Sequence, residues 1–193
     1  SVVYASTAEA IQLNFQKRTS TALEQILPAF DNVPADETVT LVSKMSWPVK
    51  FYVAKKDGEI VGYAGEVVTP EGFSGDVTVM TSLKTDGTVD KVIVTASAET
   101  PGLGTVITDR KIRKTIVDLI NGAAEAVGLP PNVYLDQYEG RRSEGTAWTV
   151  VNDGGDVDAK TGATITSRAV CGAVYAVSAT CVEHLEELAK GAE

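Results

Sequence analysis

The sequence predicts an α+β fold, with a mostly antiparallel sheet flanked by helices. From Thr38 to about Ser97, short runs rich in β-branched and aromatic residues follow one another. The pairs Asp57-Gly58 and Asp86-Gly87 between these runs are typical of hairpin turns. Segments with apolar residues at helical spacing come before and after this region. Helices gathered on an antiparallel sheet make an α+β fold.

Three helices are predicted from apolar spacing and stop signals. The first covers about Ala5 to Leu27 and is stopped by Pro28. The second covers about Asp109 to Val127, and the third covers about Thr164 to Ala189. The third carries one stripe that we expect to be buried: Val170, Val174, Val177, Cys181, Leu185 and Leu188.

The region between the last two helices is predicted to be mostly irregular. The segments PPNVYLDQY and GTAWTVV are expected to be short extended pieces, and NDGGDVD is an acidic, glycine-rich loop. His184 falls at the edge of the apolar stripe on the last helix, where a structural role is expected.

Composition limits the classes of function. The 193 residues suffice for one domain or two small lobes, and a formal net charge of −9 argues against a general nucleic-acid or acidic-membrane binder. No run approaches the roughly 20 apolar residues that cross a bilayer. The chain opens without Met inside a predicted helix, so we expect an upstream segment.

The two cysteines are expected to be buried small side chains. Cys171 and Cys181 lie ten residues apart on one predicted helix, which separates them by about 15 Å. A disulfide needs Cα atoms about 4.4–6.8 Å apart, so these residues cannot pair with each other. With one His and no CxxC pattern, no metal, haem or iron–sulfur site is expected.

The segment DAKTGATITSRAV, residues 158–170, precedes the last apolar run with more hydroxyl groups than a helix cap needs. Its four hydroxyl residues surround Gly162: Thr161, Thr164, Thr166 and Ser167. A simple N-cap would use one of them. Clustered hydroxyls, free backbone N–H groups and the positive end of a helix together favour a phosphate. The residues alone leave two interpretations open, a plain cap or a site for a phosphate-bearing ligand of unknown chemistry.

The first part of this segment, DAKTGAT, resembles the flavinylation motif D-x-x-[S/T]-G-A-T. That motif belongs to the FMN-binding domain family, which is shared by the G subunit of Rnf-type electron transport complexes and the C subunit of sodium-translocating NADH:quinone reductases. The resemblance implies that Thr164 carries FMN through a phosphoester bond, made by a dedicated flavin transferase that uses FAD. It also implies that the rest of the motif and the helix start form the cofactor site: Asp158, Thr161, Gly162, Ala163, Thr166 and Ser167. Of these, Thr166 and Ser167 are expected to donate hydrogen bonds to the phosphate.

A second motif, ETPGLG, lies about sixty residues upstream and resembles the loop with which the same family covers the flavin ring. The glycine-led hairpin before it also fits the family, and the resemblance spans roughly Gly72 to Glu187. It implies ring contacts from the loop and the hairpin: Glu99, Thr100, Pro101, Gly102, Leu103, Gly104 and Phe73. Without the first motif, a tight turn leaving a strand would explain the loop equally well, and an aromatic residue in a hairpin is usually core.

The short chain favours the Rnf-type G subunit, whose layout is an N-terminal membrane helix followed by an extracytoplasmic FMN domain. The resemblance implies a juxtamembrane helix over residues 1–30 and an FMN-binding domain over 31–193. A single-pass anchor absent from this chain would hold the domain at the periplasmic face of the cell membrane. The implied function is an electron-carrying flavoprotein subunit of an ion-translocating Rnf-type ferredoxin:NAD oxidoreductase complex. Other subunits and the flavin transferase would be its partners. No catalytic residue is expected in this chain, and the subunit would not be catalytic alone.

Three alternatives stay open at this stage. The chain could be the C subunit of a sodium-translocating NADH:quinone reductase, or an FMN module that feeds electrons to a catalytic domain of a flavin-dependent reductase. A non-redox extracytoplasmic module could also use the hydroxyl-rich helix start for another phosphate. Flavin absorbance that survives denaturation, after co-expression with the transferase, would exclude the last of these.

Overall fold

The computed structural model of the protein describes residues 16–110 and 128–190. Within these ranges the chain forms an antiparallel sheet in which each strand pairs with its neighbour in sequence. The strands are β1 Thr38–Val42, β2 Pro48–Lys56, β3 Glu59–Gly72, β4 Gly75–Leu83 and β5 Val89–Ser97. The predicted α+β class with an antiparallel sheet is therefore confirmed.

The hairpin between β2 and β3 shows the physical basis of its turn signal. Lys56 pairs with Glu59, which leaves a two-residue loop. Asp57 and Gly58 have φ angles of 54° and 80°. Positive φ at both positions is what a type I′ turn requires, and this turn matches the twist of the strands it joins.

The first and last predicted helices are found at the expected places in the chain, but their bounds differ from the predicted ones. The helical segments are residues 16–26 (α1), Thr105–Thr108 (α2), Val133–Asp136 (α3), Thr164–Glu183 (α4) and Leu185–Lys190 (α5). The expected helix over 5–27 is observed for residues 16–26, and residues 5–15 lie outside the described ranges. Most of the expected helix over 109–127 also lies outside them, while Asp109 and Arg110 are not helical.

The last predicted helix is interrupted. His184, at φ −120° and ψ 24°, leaves the helical region and separates α4 from α5. Its Nδ1 atom lies 2.9 Å from Oε2 of Glu187 on α5. The expected stripe is buried apart from Leu185, which is half-buried. The apolar pattern runs through the break, so the pattern could not reveal it.

The prediction of a short extended piece is wrong for PPNVYLDQY, and for GTAWTVV it holds at Val150. PPNVYLDQY contains α3, because the Asn132 side chain accepts the N–H of Tyr134, and the Asp136 carboxylate accepts the N–H of Asn132. These two bonds satisfy donors that a helix start otherwise leaves free. GTAWTVV is irregular up to Val150, which forms a single parallel bridge to Val157.

The sheet is covered on both faces. Alternate residues of β2 point in opposite directions, so Phe51 and Val53 pack toward α4, while Tyr52 and Ala54 pack toward α1. The 20-residue helix α4 contains an 18-residue window with a mean hydropathy of 1.4, so by length and composition alone it could span a membrane. No such run was expected from the sequence. Because 67% of that window is buried inside the protein, α4 is described as a core helix.

α4 lies close to the sheet because β3 has a glycine beneath it. A Cβ atom built at Gly65 would collide with Cγ1 of Val177. We expect Gly65→Ala to lower the free energy of unfolding by about 1–3 kcal/mol, since the helix must move away from β3. Urea denaturation measures this change. Gly172→Ala is the control, because a Cβ at this glycine of α4 would come no closer than 3.4 Å to another residue, which is ordinary van der Waals contact. An unchanged midpoint for Gly65→Ala would contradict the close packing.

The cysteines are buried, as expected, at 2% exposure for Cys171 and 0% for Cys181. Burial raises the pKa of the Cys171 thiol to about 11 and that of Cys181 to about 12. At pH 8 roughly one Cys171 thiol in a thousand is then ionised, and the thiolate is the reactive form. We expect Ellman's reagent to leave the native protein unmodified at pH 8 and to modify two thiols per chain in guanidinium. Rapid reaction of the native protein would show that the thiols are accessible.

Candidate functional site

A cavity of about 270 Å³ lies where the tip of the β3–β4 hairpin, the loop after β5 and the start of α4 meet. Both sequence motifs contribute to it. Its lining residues are Phe73, Glu99, Thr100, Leu103, Gly104, Gly162, Ala163, Thr164, Ile165 and Thr166. A larger cavity of about 800 Å³ between α1 and β5 contains neither motif and adjoins the gap in the described residues. The smaller cavity is therefore the candidate site.

The start of α4 presents free backbone donors to this cavity. The turn before the helix is closed by a bond from Ala163 N–H to the Lys160 carbonyl, and Gly162 has a φ of 84°. The first bond of the helix runs from Ser167 N–H to the Ala163 carbonyl. The N–H groups of residues 164–166 have no acceptor among the described residues, and no side chain caps the helix. Such an end attracts a negatively charged group.

The four hydroxyl groups of the segment have different roles in the structure. Thr166 is fully buried and donates to Oε2 of Glu99 at 2.8 Å. Ser167, also buried, donates to the Ala163 carbonyl at 3.0 Å and accepts the Lys160 N–H at 3.2 Å. Within the described part of the chain, the hydroxyls of Thr161 and Thr164 have no hydrogen-bond partner. Of these two residues, only Thr164 lines the cavity.

Three large apolar side chains are exposed at the cavity. Phe73 is 65% exposed, Leu103 46% and Ile165 45%. They come from three different segments, namely the hairpin tip, the loop after β5 and the first turn of α4. Phe73 is not a core residue, because the pairing of Gly72 with Gly75 places it at the hairpin tip. Together the three side chains form an apolar wall suited to a flat, uncharged ring.

The loop that carries Leu103 is held by its own hydrogen bonds. The Thr100 carbonyl accepts the N–H groups of Leu103 and Thr105, at 3.2 and 3.3 Å. The Thr105 hydroxyl accepts the N–H of Gly102, whose φ is 79°. Pro101 and Gly102 are exposed and do not line the cavity, so they shape the turn and Leu103 presents its side chain.

Glu99 lines the cavity and also holds the surrounding segments together. The residue is 5% exposed, and its carboxylate accepts hydrogen bonds from the hairpin tip as well as from Thr166. Among the described residues that line the cavity, it is the only charged one. Its role in this structure is to connect the segments that form the walls.

The remaining predicted residues lie around the cavity. Gly104 and Ala163 are buried in its wall. Asp158 and Thr161 are exposed and outside the lining, and Asp158 is held through its backbone by Gln137. Ile165 was missed, since an apolar residue in a helix gives no sign in the sequence that it will face a cavity.

A family model described as the FMN-binding domain matches residues 72–178. The chain belongs to the FMN-binding domain family. It is also 33% identical over 192 residues to the G subunit of the ion-translocating oxidoreductase complex of Vibrio cholerae, covering 97% of this chain and 84% of that protein. The G subunits of the same complex from Pseudoalteromonas atlantica and Haemophilus influenzae are each 32% identical, and the alignments cover 90% and 87% of this chain and 75% and 74% of those proteins.

The matched range contains every residue that lines the cavity, and the groups there fit FMN. The free N–H groups at the start of α4 and the Thr164 hydroxyl suit its phosphate, while the wall of Phe73, Leu103 and Ile165 suits its ring. The glycine at position 162 leaves the backbone open, because a Cβ there would meet only Leu103, at 3.5 Å. The FMN-binding domain therefore offers complementary groups for both ends of the cofactor.

Proposed function

We propose that this FMN-binding domain is an electron-carrying flavoprotein subunit of a membrane-bound, ion-translocating Rnf-type ferredoxin:NAD oxidoreductase complex. FMN would be attached to Thr164 through a phosphoester bond. The observation that carries this proposal is the position of the Thr164 hydroxyl, which lines the cavity without an internal hydrogen-bond partner at the free N–H end of α4.

The other hydroxyl groups near the cavity are less suitable attachment sites for FMN, because they are already hydrogen-bonded or lie away from the helix start or the cavity. The hydroxyls of Thr166 and Ser167 are buried and already donate to Glu99 and to the Ala163 carbonyl. The Thr161 hydroxyl is exposed but does not line the cavity. Thr100 lines the cavity from the loop after β5 and does not belong to the helix start. This leaves Thr164 as the hydroxyl that could hold a phosphate against the helix end.

Attachment would break the phosphoanhydride bond of FAD and form a phosphoester bond to Thr164. The Thr164 oxygen would bond to the phosphorus on the FMN side of FAD, and the bond from that phosphorus to the bridging oxygen would break. AMP leaves with that oxygen, and the hydroxyl proton is lost. A flavin transferase would supply FAD and the catalytic groups for this step. Asp158 and Thr161 are exposed beside Thr164, where such an enzyme could bind them.

The residues of the chain would hold the cofactor in two ways. The N–H groups of residues 164–166 would donate hydrogen bonds to the phosphate. The hydroxyls of Thr166 and Ser167, which were expected from the sequence to do so, already donate to Glu99 and to the Ala163 carbonyl. Phe73, Leu103 and Ile165 would contact the ring and limit its contact with water. The flavin supplies the electron-transfer chemistry when bound.

The proposed partner subunits are supported by the names of the relatives, which are subunits of ion-translocating oxidoreductase complexes. This chain would work beside other subunits of such a complex at a membrane, with its FMN domain on the periplasmic face. An N-terminal single-pass anchor would hold it there, and residues 1–30 would form the juxtamembrane helix. The described part of that segment packs through Ala22, Leu23, Ile26 and Leu27 on the sheet. This contact would couple the anchor to the domain.

The assignment of Thr164 is tested by Thr164→Val in protein co-produced with the flavin transferase. We expect the variant to lose covalent flavin completely, because no other hydroxyl at the start of α4 lines the cavity without an internal partner. In-gel flavin fluorescence after denaturation and the mass of the intact protein measure the loss.

Thr161→Val is the matched control, since it removes the neighbouring free hydroxyl by the same chemical change. It should keep the flavin, although a lower yield would agree with recognition by the transferase. Covalent flavin on Thr164→Val, or none on the wild-type chain, would refute the proposed function.

A further inference from the structure

The Glu99 carboxylate joins the three segments that form the candidate flavin site. One oxygen, Oε1, accepts the N–H of Phe73 at 2.8 Å and that of Ser74 at 3.4 Å, both at the hairpin tip. The other, Oε2, accepts the hydroxyl of Thr166 in the first turn of α4 at 2.8 Å. Glu99 itself begins the loop that carries Leu103. The apolar wall and the Thr164 hydroxyl are therefore connected through one side chain.

The contacts of Glu99 use both of its carboxylate oxygens. Oε1 accepts two backbone N–H groups, and Oε2 accepts the Thr166 hydroxyl. A glutamine could keep these contacts, because its oxygen can accept the N–H groups while its NH₂ group donates to the Thr166 hydroxyl oxygen, whereas an apolar side chain of similar length could make none of them. Glu99 is only 5% exposed, yet no ion pair among the described residues involves it. A buried charge without a cation is unfavourable unless hydrogen bonds satisfy it, which these three do.

One glycine allows the carboxylate to lie this close to the backbone. A Cβ at Gly104 would stand 2.5 Å from Oε2 and 2.7 Å from Cβ of Glu99, and real Cβ atoms essentially never approach heavy atoms this closely. At Gly72 an added Cβ would also come within 2.9 Å of Oε1, but it would first meet the Gly75 carbonyl and Val77. The loop after β5 therefore leaves room for the Glu99 side chain at Gly104.

The bond to Thr166 also determines where Thr164 points. The two residues are two positions apart on α4, which is about 200° around a helix of 3.6 residues per turn. A hydrogen bond on the buried side of the first turn resists rotation of that turn about the helix axis. Because Thr164 lies in this turn, the bond also helps to keep Thr164 on the side of the helix that lines the cavity.

We propose that Glu99, acting through Thr166, is a positioning residue for flavin attachment at Thr164. Through Thr166 it keeps the Thr164 hydroxyl facing the cavity. Through the Phe73 N–H it fixes the hairpin tip, whose Phe73 side chain would contact the flavin ring. This role rests on the proposed function, because it concerns the same site.

The test compares four variants of the full chain, each co-produced with the flavin transferase: Thr166→Val, Thr166→Ser, Glu99→Met and Thr180→Val. Thr166→Val removes the hydroxyl and keeps the shape, whereas Thr166→Ser keeps the hydroxyl. Thr180→Val is the matched control, since Thr180 is buried at 2% exposure on the same helix. It lies sixteen residues from Thr164, or about 24 Å along the axis.

The rate of covalent flavin incorporation, followed by in-gel fluorescence over time, is the first measurement. We expect Thr166→Val and Glu99→Met to slow it roughly 10- to 100-fold, the loss typical of a misplaced reacting group. Thr166→Ser and Thr180→Val should keep the wild-type rate. If Glu99→Met does not fold, Thr166→Val and Thr166→Ser decide the question, because they leave the carboxylate in place.

The second measurement needs no flavin. In flavin-free protein, the amide resonance of Phe73 should shift in Thr166→Val, although this residue lies on another segment, and should keep its position in Thr166→Ser and Thr180→Val. An unmoved Phe73 amide together with a wild-type incorporation rate in Thr166→Val would overturn the inference. Equal slowing by Thr166→Val and Thr180→Val would also overturn it, since general destabilisation would then explain the loss. Failure of the wild-type chain to take up flavin would instead refute the proposed function.

Discussion

The close packing of α4 on β3 is the constraint on which the rest of the structure depends. Gly65 leaves room for Val177, so the helix lies directly on the sheet. An α-helix is nearly rigid, and Thr164 is thirteen residues from Val177, or about 20 Å along the axis. Fixing the helix at Gly65 therefore also fixes its first turn. That turn comes to lie beside the hairpin tip and the loop after β5, and the cavity is the space that these three segments leave.

The first turn of α4 must accommodate two negative groups. One is the Glu99 carboxylate, which lies inside the protein and is satisfied by the Thr166 hydroxyl and by N–H groups of the hairpin tip. The other, in our proposal, is the phosphate on Thr164, which the free N–H groups of the helix start would satisfy. Both groups gain from the positive end of the helix. Each group has its own set of donors, although Glu99 and Thr164 both line the cavity.

The hydroxyl-rich segment before and within the first turn of α4 thus combines a proposed covalent site with its structural support. Its hydroxyls look equivalent in the sequence, but they divide into a proposed acceptor and two that hold the turn. Ser167 closes the turn through Lys160 and Ala163, and Thr166 connects the helix to Glu99. The remaining hydroxyl residue, Thr161, is exposed and stays available to another protein. The surplus of hydroxyls relative to a simple N-cap is explained by this division of roles.

The sequence by itself determined the antiparallel sheet, its turn at Asp57-Gly58, the start of α4 at Thr164 and the two motifs that line the cavity. These features depend on local periodicity, on positive φ at particular residues and on short contiguous patterns, all of which a sequence displays. Only the tertiary structure decided that Thr166 donates to Glu99, that Ile165 faces the cavity and that the helix breaks at His184. The first of these contacts joins residues 67 positions apart. Such contacts depend on how the packed elements meet in space, which no local pattern encodes.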